Sequence, residues 1–203
     1  MTRNINLPKM LLTVFVIAFV ILAISPADYG VWWLENLPVI LVLPILIWGY
    51  YKHRLSNLAY LSIFVYATLC IFAAHYTFSE APLGEWLSQL FGWERNHYDR
   101  LVHLSYGLLM TPVIWEIFRN YLPKKNWAKA IFVFSIVVAL GSLYELAELA
   151  AAVIFNPELG LDFVGAQGDV WDAQKDMALQ TAGSIMSLML LGVFKARRLV
   201  KAS

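Results

Sequence analysis

Six apolar stretches, most of them near the length of a bilayer crossing, leave this chain little choice but to become a bundle of membrane helices. They cover about Pro8–Ser25, Glu35–Tyr51, Leu55–Ala74, Asp99–Tyr121, Asn126–Ile154 and Ala173–Phe194. A spanning helix needs roughly 20 apolar residues to cross about 30 Å of hydrocarbon. The last four stretches meet that length. The second is short and carries Pro38 and Pro44, which puts its ends and straightness in question. The first has Arg3 and Lys9 ahead of it and small residues near its end, as a signal peptide would. Pro26 follows at once and obstructs cleavage there, so the expectation is a retained helix.

Composition agrees with a lipid solvent. The chain is 60% hydrophobic and 14% charged, with mean hydropathy +0.63. Soluble domains carry about 25% charged residues. The 203 residues are read as one integral membrane domain, 1–203. A net charge of +1 offers no basic field for nucleic acid. Cys70 is the single cysteine, in the middle of an apolar run, so neither a disulfide framework nor a thiolate metal cluster is available.

That small net charge conceals a segregation. Of the 15 basic residues, 12 lie at alternate connections: Arg3 and Lys9; Lys52 and Arg54; Arg119, Lys124, Lys125 and Lys129; Lys195, Arg197, Arg198 and Lys201. The positive-inside rule places these ends, and both termini, in the cytoplasm. The acidic residues collect toward the other side, except Glu116, which is expected to pair with Arg119 one turn away. Trp32, Trp33, Trp86, Trp93 and Trp171 fall near the outer interface, and Trp48, Trp115 and Trp127 near the inner one, as an aromatic belt requires. In the outer loop between spans three and four, Leu83, Trp86, Leu87, Leu90 and Phe91 repeat at helical spacing. The spacing predicts a short helix over Pro82–Phe91 lying in the interface. The next outer loop, Phe155–Val170, opens with Asn156-Pro157 and carries Gly160, Gly165 and Gly168, a helix stop followed by a turn-rich connection.

Function is written where ionisable residues interrupt the helices. Asp99, His103 and Tyr106 share one face of the fourth span. Tyr144, Glu145 and Glu148 lie together on the fifth. Asp169, Asp172, Asp176 and Gln180 form a stripe opening the sixth, and His75 ends the third. A charged side chain in hydrocarbon costs at least about 2.5–3.5 kcal/mol, so these groups must converge on an internal recess reached by water from the outer side. Their mutual repulsion calls for cations. Arg100 and Lys175 supply some, and a divalent ion would supply more.

Carboxylate with imidazole suits Zn, Mn or Fe, and carboxylate with water suits Mg or Ca. The expected ligands are His103, Glu145, Glu148, Asp172 and Asp176. Asp99 or His97 would act as base or orient a ligand, and Arg100 and Lys175 would bind an anionic headgroup or stabilise developing negative charge. No HExxH motif is present, so the metal expectation rests on clustering. Taken singly, His75 and Tyr144 read equally well as structural glue between helices. Arg100 reads as a salt-bridge partner, Lys175 as charge balance and His53 as a solvated loop residue.

Three function classes stay open at this point. One is a metal-dependent hydrolase or transferase acting on a lipid or lipid-linked envelope substrate. Another is a proton or cation transporter, which the apolar inner half and the lack of an inverted repeat disfavour. The third is a non-catalytic membrane partner or sensor stabilised by a bound ion.

The run His97-Tyr98-Asp99-Arg100-Leu101-Val102-His103, then Tyr144-Glu145-Leu146-Ala147-Glu148, then Gly165 through Asp176 resembles the YjdF-like family of bacterial inner membrane proteins. The resemblance covers nearly the whole chain. It implies a bacterial inner-membrane location and a shared polar constellation, and it supplies no reaction.

Overall fold

The computed structural model describes residues 6–155 and 167–201, so the glycine-rich connection from Asn156 to Ala166 and the residue Arg3 lie outside the described residues. All regular structure among the described residues is helical. In chain order it comprises α1 (Leu7–Leu22), α2 (Tyr29–Lys52), α3 (Asn57–Tyr76), a 3-10 turn (Phe78–Glu80), α4 (Pro82–Phe91), α5 (Tyr98–Phe118), α6 (Asn126–Phe155) and α7 (Asp172–Lys201). Four of these, α2, α3, α5 and α6, are long and apolar enough to cross a membrane, while α1 is apolar but only 16 residues long.

The helices begin and end where local chemistry dictates. The Asp28 carboxylate accepts from the Val31 N–H at 2.8 Å and starts α2 a full turn and more before the expected Glu35. Pro38 and Pro44 sit inside that helix without ending it. Ser56 caps α3 by accepting from the Ala59 N–H. Gly92, in the left-handed conformation at φ 68°, stops α4, whose span is the expected Pro82–Phe91.

Three bonds fix which ends lie together. The Glu116 carboxylate on α5 accepts from the Ser56 N–H at 2.6 Å and from its hydroxyl at 2.7 Å. Asn6, ahead of α1, donates to the Tyr50 hydroxyl at 2.7 Å. Glu116 is therefore a tie between the α2–α3 and α5–α6 ends, and the expected local pair with Arg119 gives way to it. At the opposite end the Ala27 N–H donates to the His75 carbonyl at 2.8 Å, and the His75 ring meets the Leu22 carbonyl at 2.9 Å. His75 thus joins α3 to α1 and stands apart from the acidic groups.

Packing runs inside out relative to a soluble domain. Large side chains such as Leu41, Ile45, Trp48, Leu143 and Val153 face outward, while Asn36, Thr111, Gln180 and Ser184 are wholly buried. Lipid tails are as apolar as leucine, so membrane helices associate through close small-residue contact and interhelical hydrogen bonds. Helix α5 is the hub, packed on α3, α6 and α7. Its tightest contact is with α7. A Cβ on Gly107 would collide with the Gln180 backbone, and one on Gly183 with the Leu104 carbonyl. Thr111 donates across the same crossing to Ser184 at 2.8 Å. Trp32 departs from the aromatic-belt expectation: it is buried, with its ring 5.6 Å from that of Phe19.

Candidate metal centre

The N-terminal end of α5 is anchored before any charged group is placed. The Asn96 amide donates to the Ala81 carbonyl at 2.9 Å, and its oxygen accepts from the Tyr98 N–H at 3.0 Å. Tyr98 is buried among Ala73, Phe78, Ala81 and Val102. Gly84 of α4 packs so closely on Asn96 that any side chain there would collide with it. The Gln167 amide closes the arrangement with two 3.0 Å bonds to the Asn96 backbone, bringing the start of the α7 region over α5.

Above the helices lies a tier of ion pairs. Arg95 reaches Asp172 at 2.8 Å and Asp169 at 3.4 Å. Arg100 reaches Asp169 at 2.6 Å and Asp172 at 3.6 Å. The Lys175 ammonium meets the same Asp169 oxygen at 2.6 Å. These contacts, the Lys175 hydrogen bond first and the Trp171 N–H next, hold the Asp169 carboxyl down at about 2. His97, which caps α5, has its ring nitrogen 3.1 Å from the Arg100 guanidinium. Burial and then the Arg100 charge push its imidazole below the ordinary histidine value.

One turn deeper the balance reverses. The His103 Nε2 lies 3.3 Å from the Asp99 carboxylate on its own helix and 3.3 Å from Glu145 on α6. Asp176 of α7 completes the group: one ligand atom each from Asp99, His103 and Asp176 lies within 4.8 Å of the others. All three side chains are buried. An ion bonded at about 2.0–2.6 Å sets its ligands at most about 4–5 Å apart, so the spacing fits a shared cation. The chemistry of the donor set fits as well, with three carboxylates gathered around one imidazole. Among the described residues, Asp176 Oδ1 and both polar atoms of the Gln180 amide are buried and make no hydrogen bond. Buried polar groups left so are costly, and they call for a guest.

The sequence candidates therefore separate into two levels. His103, Glu145 and Asp176 meet at the inner level. Asp99, expected as a base or orienter, joins them there. Asp172, expected as a ligand, lies against the two arginines. Glu148 is half-buried on α6, one turn beyond Glu145. His97, Arg100 and Lys175 belong to the outer level. Two residues were missed as site residues. Glu35, buried on α2, accepts from the Tyr144 hydroxyl at 3.1 Å, and Asn36 beside it is fully buried. The sequence carries a signal for them: Glu35 and Asn36 are a charged and an amide residue at the edge of an apolar stretch, and Glu35 marks its boundary.

Below this level a cavity of about 550 Å³ extends toward the opposite end of the bundle. Glu35, His103, Tyr144 and Gln180 line one end, and Lys9, Tyr51, Tyr60 and Ile117 the other.

The family described as "Predicted membrane protein (DUF2238)" matches residues 7–197. The chain is 33% identical to the Inner membrane protein YjdF of Escherichia coli (strain K12) over 177 residues, which is 87% of this chain and 84% of that protein. No solved structure matches. A bundle of apolar helices with a charged interior, matched over almost its whole length, belongs to this YjdF-like family of membrane proteins.

Proposed function

We propose that the chain is a metal-dependent hydrolase or transferase of the bacterial inner membrane, acting on a lipid or lipid-linked envelope substrate at the outer leaflet. In this reading six helices cross the bilayer, both termini are cytoplasmic, and α4 lies in the outer interface. Support for the orientation comes from the end of the bundle tied together by Ser56 and Glu116, whose connections carry Lys52, Arg54, Arg119, Lys124 and Lys125. The location follows the name of the relative.

One observation carries the proposed chemistry: the buried convergence of Asp99, His103 and Asp176, with the unsatisfied Asp176 and Gln180 atoms beside it. Asp99, His103 and Asp176 are the proposed ligands, with Glu145 within reach as a fourth. The ion would be Zn, Mn, Fe or Mg. A bound divalent ion lowers the pKa of coordinated water and polarises a carbonyl or phosphoryl oxygen. Glu145, or Glu148 one turn along α6, would take up the water proton. Arg95, Arg100 and Lys175, one turn above, would hold an anionic headgroup in place of Asp169. Transport finds less support. Below Gln180 the buried polar groups are the hydroxyls of Ser62, Thr111, Ser184 and Ser187, with no buried carboxylate or histidine among the described residues continuing the path.

Lipid profiling of a deletion strain tests the reaction. An enzyme predicts that one envelope lipid class accumulates and is restored by the wild-type gene but not by Asp176→Asn. An unchanged profile, together with thermal stability that falls on chelation, would instead make the ion a structural one.

A further inference from the structure

We infer that the cavity beneath the metal centre is the seat of a single long hydrocarbon chain, the tail of a lipid phosphate whose head lies at the His103 end. This rests on the reading of that end as the reaction centre and adds to it the class of substrate.

Length comes first. The cavity is lined on α2 from Glu35 to Tyr51 and on α5 from Val102 to Ile117. At 1.5 Å per residue these stretches are about 22–24 Å long. That exceeds one leaflet, which is half of about 30 Å of hydrocarbon. Spread over that length, about 550 Å³ open to the centre of a water molecule is a slot roughly 8 Å wide once the water's own radius of about 1.4 Å is added at each wall. An α-helix with its side chains is about 10–12 Å across, so neither a partner helix nor a second copy of this chain fits. A single alkyl or prenyl chain does.

The walls exclude the other occupant, water. Between the two polar ends they consist of residues such as Val39, Leu43, Phe15, Phe64, Met110 and Val113. A buried water needs two to four polar partners, and the polar groups on this stretch are Tyr66, Cys70 and Tyr106, the last already bonded to the Val137 carbonyl. The cleft also has a structural cause. Helix α2 packs on α3, and the Tyr144–Glu35 bond ties it to α6 while leaving the space between them unfilled. A tail sliding in beside α2 fills that space without disturbing the α5–α7 crossing.

The head is argued from charge. A chain seated here ends beside His103, and Arg100 lies one turn further out on the same helix, with Arg95 and Lys175 around the same Asp169 oxygen. Three cations converging on one carboxylate oxygen match the demands of a phosphate, which would take the place that Asp169 holds among them.

Photolabelling of the full chain in nanodiscs tests this, with hexadecyl phosphate carrying a diazirine near mid-chain as the probe. The label should map to cavity-lining positions such as Leu43, Ile63 and Met110. Ala67→Phe, which fills the cleft, should lower it about tenfold. Unlabelled hexadecyl phosphate should compete, and inorganic phosphate and a two-chain phosphatidic acid should not. Asp176→Asn should keep the label while losing metal, so failure of the tail site and failure of the metal centre read out separately. Labelling confined to the outward Leu41, Ile45 and Trp48 would overturn the proposal, as would equal competition by the two-chain lipid. Because Ala67→Phe could misfold, Leu46→Trp serves as a second block from the α2 side. Undiminished labelling in a folded form of either variant would also overturn it.

Discussion

The two sides of the bundle are built on opposite principles. Where α5 crosses α7, Gly107 and Gly183 bring backbone against backbone, and the Thr111–Ser184 bond lies buried in the seam. Where α2 faces α5 and α6, a cavity of about 550 Å³ intervenes, crossed at its His103 end by the Tyr144–Glu35 bond. The tight side carries Asp99, His103, Asp172 and Asp176 and fixes their spacing. The loose side leaves room for a guest. Coordinating a small ion demands a rigid frame, while admitting a long apolar molecule demands a wall that can stand off. This chain assigns the two demands to different helices.

The sharpest way to break the comparison is to add a side chain on each side. Gly183→Leu should abolish recovery of folded protein, because its side chain has only the Leu104 and Gly107 backbone to occupy. Gly49→Leu on α2 should leave the melting temperature unchanged, since a Cβ there meets nothing within 4 Å. Similar loss in both would show that α2 is packed as tightly as α7.

A smaller effect is expected from Tyr144→Phe. It removes the donor to buried Glu35 and should cost about 1–3 kcal/mol in thermal unfolding. It should also raise protease sensitivity near α2 and leave α5 and α7 protected. Thr111→Val should cost less, about 0.6 kcal/mol, the average for an interhelical hydrogen bond in a membrane protein. Equal effects would mean that the Tyr144 bond is no special tether.

The smallest expected effect is one of pH. Asp169, held at about 2 against its ordinary 3.8 by Lys175, Trp171, Arg100 and Arg95, binds its proton more weakly when folded. Its contribution is therefore complete above about pH 4 and disappears as pH falls through 2. Melting temperature measured down that range should drop in the wild type, and this component should be missing in Asp169→Asn. An identical profile in both proteins would remove Asp169 from the account.

Much of the helical plan was legible because membrane crossing imposes length and hydropathy on each helix separately. The apolar repeat of Leu83, Trp86, Leu87, Leu90 and Phe91 likewise marks the span of α4. The spacing of Asp99 and His103 placed them on one face without any knowledge of their neighbours. What stayed hidden depended on contacts between helices. Nothing local distinguishes Asp172, which meets arginines, from Asp176 one turn later, which meets His103. Glu116 had a plausible partner at Arg119, and only the fold brings Ser56 to it. Gly107 and Gly183 lie 76 positions apart in the chain, so no sequence motif joins them. Glu35 looked like a boundary because its partner, Tyr144, comes from a helix more than a hundred residues away.

Elemental analysis of the purified protein, wild type beside an Asp172 variant on α7 and a double variant of Asp176 on α7 and Asp99 on α5, tests the centre most directly. The account predicts a stoichiometric divalent metal in the wild type and in Asp172→Asn, and its loss in Asp176→Asn combined with Asp99→Asn. Unchanged metal in that double variant, in protein that still folds, would contradict the proposed ligand set and with it the reaction built on it.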